Sequence, residues 1–282
     1  MSARLEPRLD ELRATGRSGI APYVTAGDGG LPVTRAILEA LEEAGAACVE
    51  LGVPFSDPIA DGPVLQAAAG RALAAGTTLD GILALVASFR AAGGTLPLAL
   101  FSYANPLVRR GWDSVAGRAA DAGVDAFLVP DLPVEEGAEM RAALARAGLC
   151  PVFFVAPTTS DERVRAAAAA SRGFLYAIGR FGVTGAETRL DGSALEFLAR
   201  VRSCTDLPLG VGFGIRDADQ VRAVTSVAEL AIVGSSLVER IHATLAATGD
   251  PAAAARAAAA YVRELQRGLA QRDPLQGSRS PA

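Results

Sequence analysis

The chain contains no lysine, so every one of its 27 basic side chains is arginine. Without a side-chain amine, Schiff-base catalysis, one standard route to carbon–carbon cleavage, is excluded. Histidine is nearly absent too. The single His242 lies in a late helical pattern and cannot by itself form a zinc cluster or a Ser-His-Asp triad. Proton transfer must then fall to Asp, Glu or Tyr. The three cysteines, Cys48, Cys150 and Cys204, are far apart and lack CxxC spacing. That pattern suits reduced thiols in a cytoplasm rather than a disulfide framework. Positive charge is not in excess: 27 Arg stand against 31 Asp+Glu, with no basic stripe, which argues against nucleic acid as a partner. No run of 18 apolar residues without charge occurs, so no membrane span is expected. Residues 1–17 are charged and amphipathic, unlike a signal peptide.

What is present is apolar and regularly spaced. Half of the 282 residues are hydrophobic and only 5% are aromatic, so Ala, Leu and Val must build the core. Apolar runs of strand length fall at 20–25, 48–52, 96–102, 126–129, 152–155, 174–178, 207–211 and 230–233. Stretches with helical periodicity, such as 34–44 and 134–147, fill the gaps, and Gly45, Gly93, Gly123 and Gly148 mark helix ends. Alternating strands and helices imply a parallel sheet with right-handed crossovers. Eight such units in this length predict a single (β/α)8 TIM barrel, which takes about 250 residues as one domain. A doubly wound open sheet is the structural alternative. Residues 4–14 predict an extra N-terminal amphipathic helix able to cap the barrel bottom. The barrel domain is expected over 1–269 and a disordered tail over 270–282, where periodicity is lost. The Ala-rich stretches 166–170 and 252–260 read as plain helix formers.

The densest chemistry lies in Val49-Glu50-Leu51-Gly52-Val53-Pro54-Phe55-Ser56-Asp57-Pro58-Ile59-Ala60-Asp61-Gly62-Pro63. A short apolar strand ends in Glu50, and a Pro/Gly-stiffened loop then presents two more carboxylates. An ionised carboxylate in an apolar strand is costly to desolvate unless it is paired or tuned. Glu50 is therefore a candidate functional group. An ion pair for Glu50, or helix-capping roles for Asp57 and Asp61, are the structural alternatives. In a barrel, Glu50 at a strand exit and Asp61 in the next loop reach the same mouth. One apolar and one wet carboxylate is the usual way to separate an acid from a base. A second constellation is late and glycine-rich: Arg180-Phe181-Gly182-Val183-Thr184-Gly185, Gly212-Phe213-Gly214-Ile215 and Gly234-Ser235-Ser236 follow the last three strands. Backbone N–H groups at a helix start among glycines form an anion site, although glycines also serve plain turns.

These stretches, with Pro22-Tyr23-Val24-Thr25-Ala26-Gly27-Asp28, Tyr103-Ala104-Asn105-Pro106, Pro130-Asp131-Leu132-Pro133 and Ala156-Pro157-Thr158-Thr159, closely resemble the tryptophan synthase alpha subunit family, in family order. The match spans roughly residues 15–245. The resemblance implies cleavage of indole-3-glycerol phosphate to indole and glyceraldehyde 3-phosphate, without a cofactor or metal of its own. It further implies a PLP-dependent beta subunit in an alpha2beta2 assembly. By resemblance Glu50 is the catalytic acid/base and Asp61 its partner near the indole N–H. Thr184 belongs to a mobile loop that closes over the substrate and orients the Asp61 region; Gly185, Gly214, Gly234 and Ser235 form the phosphate site. Tyr23, Leu100, Phe213 and Tyr176 wall the indole. The loop 54–62 and the region 103–107 are the expected partner surface.

Three places depart from the family pattern. Ile178-Gly179 precedes Arg180 where a serine is usual, Val227-Ala228-Glu229-Leu230 lacks the usual Ala-Asp/Gly character, and Ala104 stands where a second tyrosine is frequent. None touches Glu50 or Asp61. Three rival functions remain at this stage. A stand-alone indole-3-glycerol phosphate lyase shares every catalytic residue. An idle barrel that only activates a partner would not need both carboxylates. A different phosphosugar isomerase or prenyltransferase barrel would not need the motif after the second strand.

Overall fold

The computed structural model describes residues 4–179, 192–212 and 214–271. Within them a helix α1 (Leu5–Ala14) precedes β1 (Gly19–Thr25), α2 (Leu31–Glu43) and β2 (Val49–Gly52). Two helices, α3 (Pro63–Ala74) and α4 (Leu79–Ala91), lead to β3 (Leu98–Phe101). The short α5 (Ala104–Val108) and α6 (Trp112–Ala122) lead to β4 (Ala126–Leu128), and α7 (Ala138–Ala147) to β5 (Cys150–Val152) and β6 (Phe154–Val155). Then follow α8 (Asp161–Ala170), β7 (Leu175–Ile178), α9 (Gly192–Cys204), β8 (Leu209–Gly212), α10 (Ala218–Thr225), β9 (Leu230–Val233), α11 (Ser235–Thr248) and α12 (Pro251–Gln266). All strand pairs are parallel, in the order β5-β4-β3-β2-β1-β9-β8-β7-β6.

The two ends of that sheet, β5 and β6, are consecutive in the chain and separated only by Phe153. The sheet therefore closes on itself as a (β/α)8 barrel, and the open doubly wound alternative falls. The fifth expected strand, 152–155, is thus two short strands beginning at Cys150. Phe153 explains the break: its N–H is taken by Ser171 Oγ at 3.0 Å, while its carbonyl accepts from Tyr176 N–H at 3.0 Å. One residue so joins a side-chain bond on one edge to the ladder on the other.

Strand register divides the core into two layers. Side chains of Val49, Leu51, Leu98, Leu100, Phe127, Val129, Leu175 and Val211 point outward and pack beneath the helices. Ala21, Cys48, Ala99, Ala126, Cys150, Phe174 and Leu230 point into the barrel. The inner set is small near the strand starts, where Leu5, Leu9 and Leu12 of α1 fill the space that Ala and Cys leave. The expected bottom cap is thus a plug. Gly19 permits it, because a methyl group there would strike Ala47. Arg4 pairs with buried Asp125 at 3.1 Å and Arg172 with Glu6 at 2.8 Å, tying α1 to the starts of β4 and β7.

Glu229, one of the family departures, is buried at the same end. It accepts from Leu209 N–H at 2.7 Å and pairs with Arg202 at 2.8 Å. The Ala-rich α12 buries Ala254, Ala255, Ala258 and Ala259 in the helical layer, and Gln266 Nε2 donates to the Ala44 carbonyl at the end of α2 at 2.8 Å. Small side chains let these helices approach closely. No single helix among the described residues is long and apolar enough to cross a membrane. Of the expected tail, 272–282 lies outside the described residues.

Candidate active site

A cavity of about 620 Å³ opens at the carboxyl ends of the strands. Its floor follows from strand alternation. Tyr23 pairs in register with Glu50, and Glu50 with Ala99, so all three face the barrel interior. Ala99 is small, and Glu50 lines the cavity above the apolar plug region. Glu50 is 1% exposed, and its Oε1 finds no hydrogen-bond partner among the described residues. Burial holds its carboxyl well above the ordinary value of 4.5. The ion-pair alternative for Glu50 has no counterpart among these residues.

Asp61 lies in the loop between β2 and α3 and lines the same cavity. Burial raises its carboxyl from 3.8 to about 6, opposed by a hydrogen bond from the Tyr103 hydroxyl. It is not a helix cap: α3 has Gly62 at its N-cap and no side-chain capping bond. Asp57 bonds Ser56 Oγ at 2.6 Å and does not line the cavity.

Aromatic rings form the walls. Tyr23 meets Phe101 edge-on at 5.5 Å, Phe101 meets Phe154 at 6.0 Å, and Phe154 lies 4.7 Å from Tyr176. Burial foremost, with the Glu50 and Asp61 charges adding to it, keeps the Tyr23 and Tyr176 hydroxyls protonated far into the alkaline range. Two strand-exit glycines make room for these hydroxyls. A methyl group at Gly52 would overlap the Tyr23 hydroxyl, and one at Gly212 would come within 2.8 Å of the Tyr176 hydroxyl. Gly212 thus serves clearance as well as lying in a loop sequence read for anion binding.

Two strands around the barrel from β2, β9 runs directly into α11. Gly214, Gly234 and Ser235 all line the cavity there. Gly234 is the N-cap of the 14-residue α11, with no side-chain capping bond. The N–H groups of Leu237 and Val238 return to the Gly234 carbonyl at 3.0 and 3.1 Å, so the first N–H groups of α11 are left for a ligand. Gly214 has φ +74°, a left-handed conformation that glycine adopts without strain.

The structure thus brings Glu50, Asp61, Tyr23, Tyr176, Gly214, Gly234 and Ser235 to one cavity. Leu100 is a correction. It pairs with Leu51 and Phe127 in the outward register and packs under the helices, while the next residue, Phe101, pairs with Gly52 and faces the cavity. A one-residue step along a strand reverses the face. Phe101 and Phe154 were missed by sequence reasoning. The period-two pattern counted from Glu50 through Ala99 could have found Phe101. Thr184, Gly185 and Phe213, together with the loop around Arg180, lie outside the described residues.

Fold and site together define an enzyme of the α/β-barrel class, with an aromatic cavity lined by two carboxyls and by the N-terminus of a helix. Comparison with known proteins narrows that class. A family model described as tryptophan synthase alpha chain matches residues 9–270. The tryptophan synthase alpha chain of Alkalilimnicola ehrlichii is 52% identical over 239 residues, 84% of this chain and 87% of its own. That of Burkholderia mallei is 42% identical over 280 residues, 99% of each chain. A solved alpha subunit from Legionella pneumophila has a TM-score of 0.85 at 33% identity, covering 94% of this chain and 97% of that one. A ligand-free tryptophan synthase from M. tuberculosis has a TM-score of 0.82 at 34% identity, covering 94% and 98%. The chain belongs to the tryptophan synthase alpha chain family, whose reaction is the lyase cleavage of indole-3-glycerol phosphate in tryptophan biosynthesis.

Proposed function

We propose that Glu50 and Asp61 divide the proton work of this retro-aldol cleavage, and that the start of α11 holds the substrate phosphate. The observation that carries this reading is Glu50: a buried carboxyl with an unpartnered oxygen, kept protonated by its surroundings, at the edge of an aromatic cavity. Protonation of indole C3 by the Glu50 acid turns the ring into an electron sink. The resulting carboxylate then takes the proton of the side-chain hydroxyl next to the ring. The carbon–carbon bond breaks as that oxygen becomes a carbonyl, and its electron pair returns to the ring. Indole and glyceraldehyde 3-phosphate leave, and Glu50 has served as acid and then base. Ionised Asp61 accepts a hydrogen bond from the indole N–H and stabilises the positive ring. Phosphate held by the N–H groups of Gly234 and Ser235, with Gly214 from the neighbouring strand exit, orients the substrate without touching the reacting bond. Tyr23, Phe101, Phe154 and Tyr176 would flank the ring.

The same reading extends to a PLP-dependent beta subunit in an alpha2beta2 assembly in the cytoplasm, with indole passed directly to the partner. Exposed Ile59, within the expected partner loop 54–62, and Val108, next to 103–107, support docking on this face. Indole release from indole-3-glycerol phosphate, measured with and without a beta subunit from the same source, tests it. Weak activity alone that rises strongly with the partner is the expected result. Strong activity unmoved by the partner would instead mean a free-standing lyase, and no activity either way would overturn the substrate.

A further inference from the structure

Behind the cavity wall, three successive strand-exit loops are tied to one another. Tyr103 does not line the cavity; it is buried at 3% exposure directly behind the segment Ala60-Asp61-Gly62, which does. Its hydroxyl oxygen accepts the Ala60 N–H at 3.0 Å. A phenol has one proton to give, and with the Ala60 bond occupying a lone pair that proton is left for the Asp61 carboxylate, whose proton affinity the Tyr103 hydroxyl lowers. The ring is held from the side by Phe55, at 5.5 Å between centroids. Its backbone is held from the next loop: the Ala104 N–H donates to Asp131 Oδ1 at 2.9 Å. Asp131 thus fixes Tyr103, and Tyr103 fixes both the peptide before Asp61 and the Asp61 carboxylate.

We infer that Tyr103 is a positioning residue for the cleavage reaction, holding the Asp61 carboxylate aimed at the indole N–H, with Asp131 as its anchor. This rests on the role proposed above for Asp61. A neutral phenol that donates to a carboxylate favours its charged form. Without the hydroxyl, burial acts on Asp61 unopposed, and the carboxyl would hold its proton to higher pH. A protonated Asp61 would lose its charge toward the ring. Among the described residues, the other titratable groups that share the cavity with Asp61 are Tyr23 from β1, Glu50 from β2 and Tyr176 from β7. None of these is a cation, so among the described residues the Tyr103 hydroxyl is the group that favours the carboxylate.

The test compares Tyr103→Phe, Asp61→Asn and the double variant, reading indole release across pH. Tyr103→Phe keeps the ring against Phe55 and removes only the hydroxyl. The expected result is a loss of about tenfold in kcat, the size of one hydrogen bond to a charged group, with KM changed by less than about twofold. The acid limb of kcat/KM moves to higher pH, and the double variant is no slower than Asp61→Asn alone. An unchanged rate and pH profile in Tyr103→Phe, with Asp61→Asn impaired, would overturn the positioning role alone. Losses that multiply in the double variant would do the same, since Tyr103 would then act by another route. Full activity in Asp61→Asn would overturn the role of Asp61 and this inference with it. Asp131 supplies an independent arm. Asp131→Ala is expected to reproduce the shifted acid limb, and Asp131→Asn, which keeps an oxygen for the Ala104 N–H, to restore it. Equal behaviour of the two Asp131 variants would remove the anchor from the scheme.

Discussion

Glu50 and Asp61 differ in surroundings more than in distance from the chemistry. Glu50 has no partner for Oε1 among the described residues and is desolvated, whereas Asp61 has a phenol donor and a wetter site. Their titrations separate accordingly. As pH falls below about 6, Asp61 takes a proton and the rate should fall. As pH rises, Glu50 loses the proton it must donate, and the rate should fall again. The expected kcat/KM profile is therefore a bell whose acid limb belongs to Asp61, and Asp61→Asn should erase that limb. Glu50→Gln should lower kcat by about a hundredfold or more, since it removes both proton transfers. It should also stabilise the fold. Because the folded-state value of Glu50 is raised above 4.5, the native state favours the neutral acid. Its contribution to stability is fully present below 4.5 and is lost as pH rises through the folded value. The gain in Tm of Glu50→Gln over the parent should consequently be larger at alkaline than at acid pH. A constant gain would mean that Glu50 is not perturbed.

Element by element, the barrel separates stability from chemistry along its axis. The plug of Leu5, Leu9 and Leu12 and the ties of Asp125 and Glu229 lie at the strand starts, while the cavity lies at the strand exits. Leu9 is 1% exposed and packs into the small-residue end of the barrel. Leu9→Ala should cost about 2–5 kcal/mol in denaturant unfolding, because the packed neighbours at that end relax only partly around the cavity left behind. Its kcat, measured where both proteins remain folded, should match the parent. A selective loss of activity without loss of stability would show that the plug reaches the site.

For the whole molecule, the loop that carries Asp61 faces outward as well as inward. Ile59 is 82% exposed two residues before Asp61. It lies in the loop 54–62 proposed above as part of the partner surface. Ile59→Asp should raise the partner concentration needed for half-maximal activation by about tenfold or more, read by titrating a beta subunit against indole release. An unchanged midpoint would move the docking surface elsewhere. The amino-acid sequence by itself determined the barrel, through eight apolar runs alternating with helical periodicity. It determined Glu50 as a misfit in an apolar strand and Asp61 as its companion in the next loop. It also determined which chemistry was closed, through the absent lysine and the lone histidine. These are local signals, legible because period and polarity act over a few residues. Only the tertiary structure decided that Phe101 rather than Leu100 faces the cavity, since facing depends on register with β2. Only the tertiary structure decided that Phe153 is where the barrel closes, and that Tyr103 and Asp131 stand behind Asp61. Those contacts join loops from 27 to 43 residues apart in the chain, and nothing short of the closed sheet brings them together.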